Sequence, residues 1–276
     1  MASTKVKIKD RPLDIRQSRE YANFLTGIFW QVERASIGQV FIKKLPIIGS
    51  ALKIQRTEKI NLKEIYSLQK KHRAFLTIVE PEIGLDTKPL ITAGFKLTNS
   101  SYLPTKSLVV SLVESKEKII SQMKKDARYG IRKSEKEELE VCNDTSDFQK
   151  NWKRAVNGKL HVLPINHLNS LKSSFDKNII FLQSKDKEAG AIFIVSGKIG
   201  YYWVGFYSDT ARKKYTSYKI ILEGILWCKK QKAEVFDFEG IIDERFPKTT
   251  WSGFSHFKKS FGGSEIYYPG CFVKWF

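Results

Sequence analysis

The order of elements repeats along the chain, and this repetition restricts the fold more than any single motif. In the first half, Val40–Leu45 and Ala51–Gln55 are strand-like runs around a Pro46-Ile47-Ile48-Gly49 turn. A helix over Leu62–Arg73 and a strand over Phe75–Val79 follow. In the second half, Gly190–Ser196 and Gly200–Tyr207 flank a turn at Gly197, and a helix over Ser217–Gln231 leads to a strand over Glu234–Phe238. Both halves read hairpin, loop, helix, strand. A chain of 276 residues has room for two such units. The expected architecture is α/β, with mixed sheets covered by helices, divided into residues 1–105 and 106–276.

The second half carries the sharper local signals. Tyr218, Ile221, Leu222 and Ile225 give its helix one apolar stripe, with Thr216 or Ser217 as the cap. Tyr201 to Tyr207 is apolar on both faces, which suits a covered central strand, and Gly205 inside it marks a bulge or a close backbone approach. Pro104–Leu112 reads as a strand joining the halves. Beyond it, Lys116 to about Lys136 reads as one long helix, with Ile119, Met123, Ala127 and Ile131 as its buried seam. Lys124, Arg128, Arg132 and Lys136 recur one position on as a basic stripe, joined by Lys133.

A formal net charge of +19 points to a polyanionic partner, either nucleic acid or an anionic membrane face. No apolar run approaches the roughly 18–20 residues that span a bilayer, and the first residues lack a signal-like apolar core. Cys142, Cys228 and Cys271 are scattered, which suits a reducing cytoplasm. His72, His161, His167 and His256 have no metal-ligand spacing, and no nucleophile elbow, P-loop or GxGxxG occurs. In coenzyme A-dependent acyltransferases of the GNAT fold, a glycine-rich strand-to-helix loop holds the pyrophosphate. The equivalent Ser208–Thr216 has no glycine, so its backbone cannot approach a pyrophosphate closely. Arg212, Lys213 and Lys214 remain there as candidate phosphate ligands.

The tail is the most specific segment. Asp237-Phe238-Glu239-Gly240 ends a buried strand, and Gly253-Phe-Ser-His-Phe-Lys-Lys-Ser-Phe-Gly262 follows a polar loop. With Arg128-Tyr129-Gly130-Ile131-Arg132-Lys133 and, less distinctively, Leu52–Arg56 and Tyr201–Gly205, these segments resemble the FemABX aminoacyltransferases of peptidoglycan cross-bridge synthesis. The resemblance implies two tandem GNAT-like halves and transfer of an amino acid from aminoacyl-tRNA to an amine of a UDP- or lipid-linked muropeptide precursor. It places catalysis at Phe257 and Lys258. The family's Thr-x-Arg-x-x-x-Tyr muropeptide pattern is reduced here to Lys159 within Asn157–Leu163.

The chemistry that follows needs no cofactor and no metal, because an aminoacyl ester is already activated. Lys258, flanked by Phe257 and Phe261, is expected to meet the oxyanion or the departing oxygen; a general-base role requires burial to lower its pKa. Asp237, Glu239, Tyr202, Tyr207 and Lys159 are the expected substrate contacts. Lys124, Arg128, Arg132, Lys133 and Arg212–Lys214 are the expected tRNA or phosphate contacts. The expected protein is a cytoplasmic monomer, at the inner membrane face if its precursor is lipid-linked. Two other classes stay open: a GNAT-fold N-acyltransferase with a coenzyme A or carrier-protein donor, and a non-catalytic basic module binding RNA or membrane.

Overall fold

The computed structural model describes residues 12–158, 161–247 and 251–276. The chain starts with α1 (Arg19–Gly27), β1 (Gln31–Ala35), β2 (Gly38–Leu45), β3 (Gly49–Thr57), α2 (Leu62–Lys71), β4 (Ala74–Pro81), α3 (Lys88–Thr92) and β5 (Lys96–Thr98). It continues with β6 (Lys106–Ser111), α4 (Lys116–Ser121), α5 (Lys125–Lys133), β7 (Leu139–Val141), α6 (Thr145–Val156), α7 (Ile165–Phe175) and β8 (Ile179–Ser184). The hairpin β9 (Ala189–Ser196) and β10 (Ile199–Tyr207) precedes α8 (Asp209–Lys213), α9 (Thr216–Lys230) and β11 (Val235–Asp237). The chain closes with α10 (Ser252–Lys259), β12 (Ser264–Tyr267) and β13 (Cys271–Trp275).

Two mixed sheets result, ordered β1-β2-β3-β4-β13-β5 and β12-β6-β11-β10-β9-β8-β7. In each, an antiparallel hairpin (β2/β3, β9/β10) leads through helix to a parallel neighbour (β3/β4, β10/β11). The repeated element order of the sequence is therefore a repeated topology, as expected of two GNAT-like halves. The second half returns one strand to the first sheet. β6 follows β5 in the chain but lies in the second sheet, and β13 follows β12 but lies in the first, between β4 and β5. The change of sheet after β5 falls between Thr98 and Lys106, and residues 271–275 return to the first half.

Packing follows the two-residue period of the strands. In β9, Phe193 and Val195 join Ile220, Ile221 and Ile225 of α9, while Ile192 and Ile194 join Phe148 and Trp152 of α6 and Leu168 and Leu171 of α7. Both faces of this strand are covered, so every one of its residues is buried. In the first sheet, Ile65 and Leu68 of α2 pack on Val40, Ile42, Leu52 and Ile54. Helix α1 bridges the halves: Tyr21 packs on Phe41 of β2, and on α7 Ser170 Oγ donates to Phe24 O at 2.8 Å. Among the described residues no helix is long and apolar enough to cross a membrane.

Two expectations change. The single helix over Lys116–Lys136 is two helices, α4 and α5. The break occurs because Lys124 N donates to Ser260 O at 2.8 Å, leaving the helical ladder, with Lys124 extended at ψ 163°. The seam survives it: Ile119, Met123 and Ala127 are all buried. Thr216 and Ser217 do not cap α9. Tyr215, at φ 60°, precedes the helix without a side-chain cap, and Thr216 Oγ1 turns to Glu137 Oε2 at 3.1 Å.

Candidate active site

The site is positioned by a parting of two strands. β10 and β11 are paired from Ile199–Val235 to Tyr201–Asp237, and β10 then runs on from Tyr202 to Tyr207 without β11 beside it. An irregularity between Tyr202 and Val204 turns the strand there. The corresponding strands of the first half, β3 and β4, stay paired from Ser50–Ala74 to Thr57–Pro81. Only the second half opens. Gly205 lets the opening fill with hydroxyls: a Cβ there would lie 2.3 Å from Tyr202 Oη and 2.9 Å from Tyr207 Oη. The two phenols are hydrogen-bonded at 3.2 Å. Burial pushes Tyr202 up to about 12 and Tyr207 well above its ordinary value, so both are neutral hydroxyls near neutral pH.

Opposite them, the turn after β11 is pinned at every residue. Asp237 Oδ1 accepts from Ser107 Oγ and from Glu239 N (2.8 Å), and Ser107 Oγ accepts from Gly240 N at 3.0 Å. Glu239 and Gly240 have φ of 53° and 107°, and a Cβ on Gly240 would meet Pro104 at 2.7 Å. Lys258, from α10, completes the clasp: its Nζ donates to Phe238 O at 2.7 Å and to Gly240 O at 2.8 Å. The ammonium is buried, 5.4 Å from the Tyr202 ring and 5.0 Å from the Phe254 ring. Burial lowers its pKa to about 8, against the opposing pull of Glu239 and Asp237.

This geometry corrects the expected flanking of Lys258. Phe257 packs instead on Tyr218 (4.9 Å), Phe261 (5.3 Å) and Tyr207 (6.3 Å), and Phe261 on Phe238 (5.6 Å). The aromatic rings over the lysine are Tyr202 and Phe254. Phe254 is 38% exposed, so the lysine is one ring away from solvent. Asp237 is wholly buried in its turn, and Glu239 is bound on both oxygens by Arg16.

The remaining expected residues are dispersed. Lys159 lies outside the described residues. Lys124, Arg128, Arg132 and Lys133 are exposed on and just before α5, which meets α10 through the Lys124–Ser260 bond. Arg212 and Lys213 are exposed on α8, while Lys214 pairs with Asp186 at 2.8 Å. Glu137 stands at the first turn of α9. Cys142, Cys228 and Cys271 are buried thiols, and no metal-like cluster exists among the described residues.

Sequence reading missed a second feature. A hollow of about 190 Å³ in the first half is walled by Tyr21, Trp30, Phe41 and Tyr102 with Lys53. Lys53 Nζ lies 3.8 Å from the Tyr102 ring and 5.0 Å from the Trp30 ring, and burial pulls its pKa down against the opposing pull of Glu80. Its one sequence signal was the alternation of Lys53 and Gln55 with apolar Leu52 and Ile54 in β3. Lys258 does not line this hollow.

No family model and no curated protein matches the sequence. The structure does match solved ones. FemX superposes with a TM-score of 0.79 at 14% identity, over 98% of this chain and 94% of FemX. The chain has a FemX-like fold. The C-terminal domain of an Agrobacterium fabrum protein named for lysylphosphatidylglycerol synthesis superposes at TM-score 0.59 and 13% identity, covering 95% of this chain and 88% of that one. L-PGS from Bacillus licheniformis follows at 0.57 and 14%, covering 91% and 85%. The FemX-like fold thus extends over essentially the whole described chain, both sheets included.

Proposed function

We propose that the protein is an aminoacyltransferase that moves an amino acid from aminoacyl-tRNA to an amine of a peptidoglycan precursor. The observation that carries this reading is the FemX-like fold together with a buried lysine of lowered pKa at the parting of β10 and β11. In this reading the 106–276 half performs transfer, and the 1–105 half holds the acceptor in the Lys53 hollow, whose cation and aromatic walls suit an anionic ligand.

The acceptor amine attacks the ester carbonyl carbon as a C–N bond forms. The ester C–O bond then breaks and the ribose oxygen leaves. Neutral Lys258 has two N–H groups committed to Phe238 O and Gly240 O, so its lone pair is the free valence. It takes the proton of the attacking amine and returns it to the ribose oxygen. In the Tyr202–Tyr207 pair one hydroxyl donates to the other, which leaves one O–H proton for the tetrahedral oxyanion. Glu137 at the first turn of α9 puts a carboxylate where a coenzyme pyrophosphate needs N–H groups, which argues against a coenzyme A donor.

A second reading keeps the donor and changes the acceptor to the hydroxyl of phosphatidylglycerol. It is favoured by the neighbour named for lysylphosphatidylglycerol synthesis. Incubation with a full set of charged tRNAs, UDP-linked muropeptide and phosphatidylglycerol vesicles separates the two by mass spectrometry. An aminoacylated muropeptide supports the first reading and an aminoacylated lipid the second. Neither product removes both.

A further inference from the structure

One end of the first sheet gathers exposed apolar side chains. Strand β1 begins there after Phe29 and Trp30, β2 and β3 turn there at Pro46–Ile48, β4 begins there at Ala74, and β13 ends there at Trp275. Phe29 is 81% exposed, Ile47 105%, Ile48 68% and Trp275 67%. Contacts tie these segments into one edge. Lys43 Nζ reaches Phe29 O at 3.4 Å, Ser50 N donates to Arg73 O at 3.2 Å, and Phe75 stacks on Trp275 with 5.8 Å between centroids. Single exposed apolar residues are ordinary on a protein surface, but a cluster at one edge marks an interaction surface.

The hairpin tip is also an unusual choice for a turn. Ile47 has φ 72°, a left-handed conformation that a β-branched residue adopts at a cost and that glycine or asparagine adopts readily. Nothing in the fold rewards that isoleucine, since its side chain touches solvent on all sides. The charges around it are mainly positive: Lys44, Lys70 and Arg73 are exposed beside it, and the Glu33 carboxylate on β1 is taken up by Lys71 at 2.8 Å and His72 at 2.9 Å.

The geometry points to this edge as the surface by which the protein docks on an anionic lipid bilayer, with Ile47 and Ile48 inserted among the acyl chains and the surrounding lysines and Arg73 at the headgroups. Protruding apolar tips ringed by cations suit a bilayer, whose anionic headgroups lie over an apolar interior. A polyanion such as RNA offers nothing for two isoleucines to enter. A second copy of this chain would bring the same cations face to face. The inference is independent of the reaction proposed above.

The test is co-sedimentation of the full chain with vesicles of equal parts phosphatidylglycerol and phosphatidylcholine, and with phosphatidylcholine vesicles alone. Wild type is expected to bind the anionic vesicles, and the double variant Ile47→Ser, Ile48→Ser to bind them about tenfold or more weakly, with an unchanged thermal midpoint because both side chains are already in solvent. Lys44→Glu with Arg73→Glu is expected to weaken binding as well. Wild type that ignores anionic vesicles overturns the inference. So does an Ile47/Ile48 variant that binds as wild type while the charge variant does not, which would mean attraction by charge alone. Sedimentation velocity showing a dimer that the isoleucine variant dissolves, without vesicle binding, overturns it in favour of self-association.

Discussion

Arg16 and Glu239 are 223 residues apart in the chain, yet they form a two-point ion pair, with Nη1 donating to Oε1 at 2.8 Å and Nη2 to Oε2. Their side chains are 4% and 12% exposed, and Arg16 also reaches Asp14. The pair fastens the segment before α1 to the turn that Lys258 clasps, so the site and the junction between halves share one support. Glu239→Ala leaves a guanidinium buried with only Asp14 beside it and is expected to lower unfolding free energy by about 3–5 kcal/mol. Arg16→Met combined with Glu239→Leu is expected to recover only part of that loss, because buried Asp14 then loses Arg16 as a partner. Urea denaturation of wild type and these two variants measures both.

Gly205→Ala tests the phenol pair. The added methyl overlaps both Tyr202 Oη and Tyr207 Oη, and rigid rings cannot yield as a flexible chain would. The expected outcome is a stability loss of about 1–3 kcal/mol from overpacking, with transfer slowed more than stability explains. Calorimetry and a transfer assay on the same sample separate the two.

Lys258 gives stability a pH dependence of definite sign. Its pKa falls from 10.5 to about 8 on folding, so between those values the unfolded chain holds more protons than the folded one. Unfolding free energy therefore gains a rising contribution from about pH 8 to 10.5, complete once both states are neutral. Lys258→Met is expected to flatten the curve in that window, as read from denaturation midpoints across pH.

The exposed cations Lys124, Arg128, Arg132 and Lys133 are expected to contact tRNA. Replacing Arg128 and Arg132 with glutamine should weaken binding of deacylated tRNA and reduce the slope of log affinity against log salt by roughly 0.7 for each phosphate that is no longer neutralised. Fluorescence titration at several salt concentrations reads the slope. An unchanged slope would move the tRNA elsewhere.

Much of the fold was legible because its signals are local. The Pro46–Gly49 turn, the apolar stripe of α9 and the central strand β10 each follow from residues within one element. The return of β13 to the first sheet was not, because an apolar run such as Cys271–Trp275 pairs equally well with either sheet and only long-range packing chooses. The break between α4 and α5 was hidden for the same reason, since it depends on Ser260. Lys258 was visible as a lysine among aromatic residues, but its partners were assigned to Phe257 and Phe261. On a helix Phe254, four residues earlier, shares its face, and Phe257 does not. Arg16 had no signal at all, lying in a polar segment with its partner at the other end of the chain.

The rate of single-turnover transfer from aminoacyl-tRNA, followed against pH for wild type and Lys258→Met, probes the proposed chemistry most directly. Wild type should accelerate with pH through an inflection near 8, where Lys258 becomes neutral. The variant should be slower by about 10²–10⁴-fold, the usual worth of a general base, and should lack that inflection. A variant that transfers as fast as wild type with the same pH profile contradicts the account.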